Sequence, residues 1–350
     1  MRRQLTILTT ALLTSTLALA SACDGGEKPA DKKAETKADA KADKKADAKA
    51  EKKEKTEAEK QEEGRTKNAE RMKKLEEKSE KEAARWTDEV KAKVKALSEK
   101  EWKSTKDAVT EILASPHRMP DNAARDGSRH PAETLEFFGI TPEMTVIEVG
   151  PGGGWYTEVL APLLAKKGKL VITDFDMNAP DHEWTWFAAR RMKAFLDRSP
   201  ELFGKVEKDI QKSYEEFSLS TTEADAVLII RGLHGWHSRG NMLKNLKVVH
   251  GALKAGGTLG IVQHRAKADA KAEESAKKGY LPEAWLIEEL TKLGFELVEK
   301  SELNANPKDT KDYEEGVWTL PPTLTLKDKD KDKYTAIGES DRMTLRFRKK

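Results

Sequence analysis

The sequence predicts an α/β fold built on a doubly wound, mostly parallel β-sheet. Between residues 115 and 350, short apolar runs alternate along the chain with longer runs of helical periodicity. The apolar runs are nearly continuous, which is typical of strands that helices cover on both faces. The first run leads into a turn that contains four glycines. In open parallel sheets, ligands bind at the carboxyl ends of the strands, so this turn is the first place to look for a site.

The first half of this region predicts two strand–helix pairs. "TVIEVG" (145–150) is apolar and β-branched, which indicates a buried strand. "YTEVLAPLLAKK" (156–167) repeats apolar residues every three or four positions, which indicates a helix. "GKLVITDFD" (168–176) and "TWFAARRMKAFLDR" (185–198) repeat the two patterns. The strand expected after them is poorly marked in the sequence.

The second half continues the alternation and ends with two further strands. The predicted elements are, in order, the strand "ADAVLIIRG" (224–232), the helix "GNMLKNLKVVHGALK" (240–254), the strand "GGTLGIVQHR" (256–265), the helix "LPEAWLIEELTKLG" (281–294) and the late strands "FELVEKSEL" (295–303) and "RMTLRFRKK" (342–350). Together these elements make one domain of 115–350, which is long enough to bury a sizeable core.

The composition limits the classes of function. Charged residues make up 36% of the 350 residues and the mean hydropathy is −0.74, which is too polar for one compact domain throughout. The 64 basic residues nearly balance the 61 acidic ones, so the net charge of +3 gives no field that favours nucleic acid as a partner. The single cysteine excludes an internal disulfide and a zinc-finger pattern.

The amino terminus has the features of an export signal over residues 1–22. A positive start is followed by the apolar run 5–19, and small residues precede Cys23. The run is short for a membrane span, and the segment resembles a bacterial lipoprotein signal. It predicts an exported protein anchored to a membrane of the cell envelope, on the periplasmic side, through a lipidated Cys23. The alternative is ordinary secretion with a free thiol.

Two further segments precede the domain. Residues 23–84 consist mainly of Lys, Ala, Glu and Asp without apolar periodicity, which predicts a solvated and partly helical tether. Over residues 85–114, apolar side chains recur at helical spacing, which predicts one or two amphipathic helices that lead into the domain.

The glycine-rich turn does not match the common phosphate-binding motifs. A dinucleotide site requires G-x-G-x-x-G, but Trp155 stands where the third glycine is needed. No Gly-Lys-Ser/Thr follows, which excludes a P-loop. The pattern that remains is E-x-G-x-G-x-G, formed by Glu148, Gly150, Gly152 and Gly154. It lets bare backbone approach a ligand beside a carboxylate.

At this point the sequence resembles class I S-adenosylmethionine-dependent methyltransferases. The motifs that carry the resemblance are "EVGPGGG", the Asp that closes "GKLVITD", and "LKAGGTLGIVQH", in the expected order. The sequence is most similar to a group of predicted bacterial methyltransferases with "RDGSRHPAETLEFFGI", "PGGGWYTE", "RGLHGWH" and "DRMTLRFRK". The resemblance implies a Rossmann-like methyltransferase fold and S-adenosyl-L-methionine as cofactor.

The resemblance also implies roles for individual residues. Glu148 would hold the ammonium group of the cofactor, directly or through water, and Asp174 would accept hydrogen bonds from both ribose hydroxyls. Gly150, Gly152 and Gly154 would form the turn that the cofactor approaches. Asp209 would lie near the adenine amino group; alternatively it is a solvated loop carboxylate.

The candidate catalytic residues follow the fourth and fifth strands. They are Arg231, His234, His237 and His264. A general base is required only if the acceptor carries a proton that must leave. The alternative is that the histidines hydrogen-bond neighbouring loops. Upstream, the segment "HRMPDNAARDGSRHP" (117–131) forms either a lid over the cofactor or a salt-bridge network.

The sequence thus predicts methyl transfer to a small-molecule acceptor. The acidic residues and histidine near residue 180 match no defined metal site, so no metal is expected. An alternative is an exported, membrane-tethered, non-catalytic ligand-binding module on the same fold. A third possibility is an envelope spacer that acts through its charged tether.

Overall fold

The computed structural model describes residues 55–350. The predicted signal peptide, Cys23 and the first part of the predicted tether lie outside the described residues. Within 55–350, no helix is both long and apolar enough to cross a membrane.

The first three of the described helices are each begun by a hydroxyl side chain that caps the helix. They are α1 (Glu57–Ala83), α2 (Asp88–Glu99) and α3 (Thr105–Leu113). The cap residues are Thr56, Thr87 and Ser104, whose side chains accept from backbone N–H groups of the first turn. In α2 and α3 the apolar face is buried against the domain.

Helix α1 differs from the solvated tether expected for residues 55–84. Asn68 in its middle is 1% exposed, and its amide donates to the carbonyl oxygens of Asp181 (2.8 Å) and Glu183 (2.7 Å). The backbone of Gly64 approaches His182 so closely that a Cβ would lie 2.3 Å from the His182 carbonyl oxygen. One amide and one glycine therefore dock a helix whose composition gives no apolar signal.

We expect Gly64→Ala to loosen α1. In a free helix this change adds about 1 kcal/mol of helix stability. Here the new methyl group collides with the His182 backbone, so the hydrogen-exchange protection of α1 should fall. Lys73→Ala, at an exposed position of the same helix, is the matched control and should leave protection unchanged. Protection in Gly64→Ala equal to or above that of the control would show that α1 is not docked at this point.

The sheet has seven strands, and six of them run in one direction. They are β1 (Thr145–Val149), β2 (Lys169–Phe175), β3 (Glu207–Gln211), β4 (Ala224–Ile230), β5 (Leu253–His264), β6 (Phe295–Ser301) and β7 (Arg342–Lys349). The spatial order is β3-β2-β1-β4-β5-β7-β6, and only β7 is antiparallel to its neighbours. The predicted mostly parallel α/β sheet is confirmed. The strand order reverses between β1 and β4.

Helices cover both faces, which makes the sheet doubly wound. The remaining α-helices of the described residues are α4 (Pro120–Ala123), α5 (Asp126–Arg129), α6 (Pro131–Phe137), α7 (Thr157–Leu164), α8 (Trp184–Asp197), α9 (Pro200–Phe203), α10 (Leu233–Ser238), α11 (Met242–Ala252), α12 (Ala272–Ser275), α13 (Glu283–Lys292) and α14 (Lys331–Ile337). Alternate residues of a strand belong to two separate hydrophobic cores, one on each face of the sheet. Val146 and Leu228 pack with α3 and α7, whereas Ile147 packs with the α11 side.

Candidate functional site

The turn between β1 and α7 is held open by glycine backbone conformations. Gly150 and Gly152 have φ values of +64° and +62°, which side-chain-bearing residues rarely adopt. A Cβ placed on Gly150 would meet no atom of the described residues within 4 Å, and one on Gly152 only the Gly150 carbonyl oxygen at 4.0 Å. The space in front of both residues is therefore free for a ligand.

The third glycine of the motif has a different role. Gly154 has a φ of +82°, and a Cβ there would lie 2.4 Å from the ring of Phe195 in α8. Its missing side chain serves close packing of the turn against α8. In this motif, Gly150 and Gly152 face open space, whereas Gly154 allows the turn to pack closely against α8.

A cavity of about 270 Å³ opens beside this turn, at the carboxyl ends of β1 to β4. Its size is near the lower end of the about 300–1,000 Å³ that is usual for small-molecule sites. It lies where the strand order reverses, the position at which open α/β sheets bind ligands. Its walls are formed by Val149, Gly150, Pro151, Gly152, Thr173, Asp174, Phe175, Trp184, Ala188, Arg191, Met192, Gln211, Ser213, Tyr214, Phe217, Ile229, Gly232, Trp236 and Arg239.

Asp174 lies in the cavity wall at the end of β2, as the sequence predicts. One carboxylate oxygen accepts from the backbone N–H of Phe175 at 2.8 Å, and the other lies 3.3 Å from Lys208 Nζ. Burial raises the pKa of Asp174, although the Phe175 N–H and Lys208 oppose the rise. A buried carboxylate with spare acceptor capacity is suited to ligand hydroxyl groups.

Helix α8 contributes a face to the cavity that sequence analysis missed. Trp184, Ala188 and Arg191 line it, spaced by four and three residues along the helix. This spacing places them on one side of the helix, and it was visible in the sequence. Tyr214, which also lines the cavity, lies edge-on to Phe175 with ring centroids 5.0 Å apart. The aromatic walls can hold a flat ring.

Arg191 brings a positive charge to the cavity. Its Nη2 donates to the carbonyl oxygen of Gly152 at 2.7 Å, and its buried Nε has no hydrogen-bond partner among residues 55–350. Burial lowers the pKa of Arg191, whereas Tyr214 and Asp174 raise it. A guanidinium group with a free buried donor favours an anionic group of a ligand.

The structure corrects the expected role of Glu148. Its carboxylate is buried and accepts from the Thr157 hydroxyl at 2.7 Å, beneath the start of α7, and it is not among the cavity-lining residues. Successive strand residues face opposite sides of a sheet, and Val149 takes the cavity side. Glu148 thus ties the strand to α7 and does not face a cationic group of a ligand directly.

The buried position of Glu148 predicts a dependence of stability on pH. Burial raises its pKa from 4.5 to about 7, although the Thr157 hydrogen bond opposes the rise. Between these values the folded chain holds a proton that the unfolded chain has lost. The contribution of Glu148 to the unfolding free energy is therefore greatest below pH 4.5 and falls as the pH rises through 7.

We expect Glu148→Gln to flatten this decline. At pH 8 the variant should be more stable than the wild type by up to about 3 kcal/mol, since a neutral amide replaces a buried carboxylate. Urea unfolding at pH 5, 6.5 and 8 measures the effect. Glu143→Gln, at an exposed position six residues from the end of β1, is the control. Parallel pH profiles for both variants and the wild type would contradict the expectation.

Asp209 is also placed differently from the expectation. It lies within β3, and its carboxylate accepts from the backbone N–H of Ser220 at 2.9 Å and from the Ser220 hydroxyl. The residue of β3 that reaches the cavity is Gln211, whose amide bonds the backbone of Ser218. Because β3 was poorly marked, its carboxyl end could not be located from the sequence, and the side chain two residues too early was chosen.

The candidate catalytic residues fall into two groups. Arg231 directly follows β4 and precedes Gly232, which lines the cavity, and His234 and His264 lie with ring centroids 5.7 Å apart. None of these three residues is among those that line the cavity. His237 packs edge-on against Trp285 of α13, with centroids 4.8 Å apart, and is not among the cavity-lining residues. The structure therefore brings Arg231, His234 and His264 together and separates His237 from them, because α10 turns it toward α13.

The two clustered histidines are neutral at pH 7. Burial lowers the pKa of His234 to about 4. The hydrogen bond with Gln263 opposes this decrease, and the positive charge of Arg231 adds to it. Burial, His234 and Arg231 lower the pKa of His264 well below its usual value. Gln263 Nε2 lies 3.2 Å from His234 Nδ1 and 3.1 Å from the Gly279 carbonyl oxygen. The amide therefore donates to Nδ1, and the proton of His234 is on Nε2.

The upstream segment (117–131) is tied down by buried ion pairs. Glu158 of α7 is fully buried and accepts from Arg118 Nη1 at 2.8 Å, Arg198 Nη2 at 2.5 Å and Asn122 Nδ2 at 3.0 Å. The sequence left two alternatives for this segment, a lid over the cofactor and a salt-bridge network, and these contacts match the salt-bridge network. Among residues 55–350, no three His, Cys, Asp or Glu side chains are grouped so as to hold a metal ion.

No model of a known protein family matches the sequence, and no curated protein matches it. Solved structures with a similar fold include an S-adenosylmethionine-dependent methyltransferase from Aquifex aeolicus (16% identity, 69% of this chain and 97% of that chain, TM-score 0.39). A second is the N-methyltransferase NodS from Bradyrhizobium japonicum (15% identity, 63% of this chain and 94% of that chain, TM-score 0.41). A third is a putative sarcosine dimethylglycine methyltransferase from Galdieria sulphuraria (12% identity, 65% of this chain and 87% of that chain, TM-score 0.44).

Proposed function

We propose that the protein is an S-adenosylmethionine-dependent methyltransferase that acts on a small-molecule acceptor. The observation that carries the proposal is the cavity at the carboxyl ends of β1 to β4. It joins the open backbone of Gly150 and Gly152 to the buried carboxylate of Asp174 and the free donor of Arg191. These are the groups that a ligand with a ribose, a flat base and a charged amino-acid tail requires.

The residues present fit the cofactor. Asp174 would accept from the ribose hydroxyls, and Arg191 Nε would donate to the carboxylate of the amino-acid tail. Trp184 and Tyr214 would contact the adenine. The open space in front of Gly150 and Gly152 would admit the cofactor against the main chain, where any side chain would intrude.

A dinucleotide fits the same turn poorly. Trp155 occupies the position of the third glycine, and its indole is buried outside the cavity, where its Nε1 donates to the Asn122 carbonyl oxygen at 2.8 Å. The guanidinium groups of Arg118 and Arg129 lie over its ring at 5.2 and 4.5 Å. The side chain leaves the cavity free, but it removes the close helix–strand approach that a pyrophosphate site uses.

The protein's contribution to the reaction is placement and exclusion of water. When bound, S-adenosylmethionine supplies an activated methyl carbon. The methyl group needs an in-line approach by the acceptor, so a rigid, dry site provides most of the rate enhancement. His234 can donate a hydrogen bond through Nε2–H and so orient an acceptor atom. Arg231 directly precedes the cavity-lining Gly232, and His234 follows Gly232 by two residues.

Calorimetric titration tests the proposal. We expect S-adenosylmethionine and its demethylated product, S-adenosylhomocysteine, to bind with micromolar affinity, and NAD to bind far more weakly because Trp155 removes the close helix–strand approach that a pyrophosphate site uses. Binding of NAD with equal affinity, or no heat with either adenosyl compound, would contradict the proposal.

We also propose, on the sequence of residues 1–23, that the protein is exported and lipid-anchored through Cys23. Metabolic labelling with a radioactive fatty acid in a bacterial host should label the wild type and leave Cys23→Ala unlabelled and released from the membrane fraction. Equal labelling, or equal distribution of the two proteins between the fractions, would contradict the anchor.

A further inference from the structure

A cluster of buried and half-buried arginines lies next to the cavity. It consists of Arg125, Arg129, Arg231, Arg342 and Glu339, and is called here the arginine cluster. Its members come from three distant parts of the chain: the start and end of α5, the end of β4, and the start of β7 with the loop before it. Neither the cofactor site nor the fold's other ion-pair network uses these side chains together.

The positive charges of the cluster exceed the negative ones. Glu339 pairs with Arg125 Nε at 2.6 Å, Arg342 Nη1 at 2.9 Å and Arg129 Nε at 3.6 Å. Arg231 has no ion pair among residues 55–350. Arg129 and Arg342 are only 3% and 4% exposed. Four guanidinium groups thus share one carboxylate in a region with little access to water, an arrangement that calls for a further negative charge.

The hydrogen bonds of the arginine cluster also lack acceptors, just as its positive charges lack negative partners. Buried donors without a partner in the described chain are Arg125 Nη2, Arg129 Nε and Nη2, Arg231 Nε and Arg342 Nε. Buried N–H groups in native proteins are nearly always paired, and an unpaired one destabilises the fold. All of these missing partners are acceptors.

The pKa values agree with this charge excess. Burial and the neighbouring Arg231 lower the pKa of Arg129 to about 8, even though Glu339 opposes the change. Burial lowers the pKa of Arg231 to about 10, again against Glu339. One carboxylate is therefore too little to stabilise the cations, and a bound anion would raise both pKa values.

The cluster adjoins the proposed cofactor site at two points. Gly232, next to Arg231, lines the cavity, and Tyr156 directly follows the glycine-rich turn and Trp155. The charges of Arg129 and Arg342 oppose the burial that raises the pKa of Tyr156, which places its phenol beside them. A second substrate that meets the cofactor at the ends of β1 and β4 would therefore come within reach of these guanidinium groups.

We propose that the arginine cluster binds the anionic group, a carboxylate or a phosphate, of the methyl acceptor. The anion-binding property rests on the cluster alone, and its assignment to the acceptor rests on the proposed function. Guanidinium forks match the oxygens of both groups, and Glu339 acts as the internal anion that holds the cluster together before the acceptor binds. The acceptor is thereby an organic acid or a phosphate ester.

Thermal unfolding of the full-length protein tests anion binding, with sodium phosphate and sodium acetate as probes and sodium chloride added to keep the ionic strength constant. At saturation, at least one probe should raise Tm by about 2–4 °C. A rise with phosphate alone indicates a phosphate ester, and a rise with acetate alone indicates a carboxylic acid. Absence of a rise with both overturns the proposal.

Arg231→Gln should reduce this rise by at least half. Arg231 has no ion pair among the described residues, so its loss leaves no carboxylate unpaired and the variant should fold. The control is Arg348→Gln, an exposed arginine of β7 that pairs with Glu296 at 2.9 Å and should keep the full rise. Equal rises in the two variants would overturn the proposal.

Glu339→Gln provides an independent variant in the opposite direction. It removes the internal anion, so the added anion should bind more tightly and raise Tm by more than in the wild type. Loss of stability that neither probe restores would contradict the proposal. Titration of the wild type with S-adenosylmethionine separates the two claims, because failure there removes the acceptor assignment and leaves the anion result standing.

Discussion

Asp174→Ala is expected to weaken S-adenosylmethionine binding by about 100-fold. Two charge-assisted hydrogen bonds to the ribose hydroxyls are lost, and each is worth about 1.5–3 kcal/mol before partial compensation by water. Calorimetric titration measures the change. The product S-adenosylhomocysteine should lose a similar factor, because it has the same ribose.

The stability of this variant should stay within about 1 kcal/mol of the wild type. Burial raises the pKa of Asp174, so its charge is not stabilised by folding, and its partner Lys208 is exposed enough to regain water. Asp176→Ala, two residues beyond and outside the cavity wall, is the matched control and should bind the cofactor normally. Equal binding by both variants, or an Asp174→Ala protein that unfolds, would show that Asp174 has a structural role instead.

Glu158→Ala is expected to lower the unfolding free energy by about 3–5 kcal/mol. Its carboxylate accepts from Arg118 and Arg198, both buried with it. Its removal leaves each cation with one ion-pair partner among residues 55–350, which is Asp126 for Arg118 and, at 3.6 Å, Glu82 for Arg198. The backbone N–H of Met119, which donates to the same carboxylate at 3.1 Å, is also left unpaired. Urea unfolding followed by circular dichroism measures the loss as a lower midpoint.

An exposed ion pair provides the comparison for this effect. Glu296→Ala breaks the pair with Arg348 at the sheet edge and should cost less than about 1 kcal/mol, because both side chains remain hydrated. Similar losses in Glu158→Ala and Glu296→Ala would mean that burial of the Glu158 network adds nothing. The expected difference also predicts that Glu158→Ala frees the upstream segment (117–131) before the sheet unfolds, which hydrogen exchange can follow.

The proposed cofactor site was predictable where local sequence decides position. Asp174 ends a strongly apolar strand, so its place at the sheet edge follows from the strand itself, and Gly150 and Gly152 follow from the turn after β1. Glu148 was assigned to the cavity side of the sheet, but its carboxylate lies on the opposite face, against α7. Successive strand residues face opposite sides, and the sequence does not show which of the last two residues of β1 faces the cavity. Arg191 was missed because its spacing from Trp184 and Ala188 shows that they share a helix face, but not that this face lines the cavity.

The sequence alone determined the alternation of strands and helices, the glycine-rich turn and the carboxylate at the end of β2. Each of these features depends on residues within about one helix or strand of each other. Over that range, the spacing of apolar residues and the backbone freedom of glycine decide the local structure. Only the tertiary structure placed β7 between β5 and β6, docked α1 through Asn68, and joined Arg125 to Glu339 across more than two hundred residues. Such pairings follow from the topology of the whole sheet, because the energy of a long-range contact exists only after both partners have been positioned by their own elements.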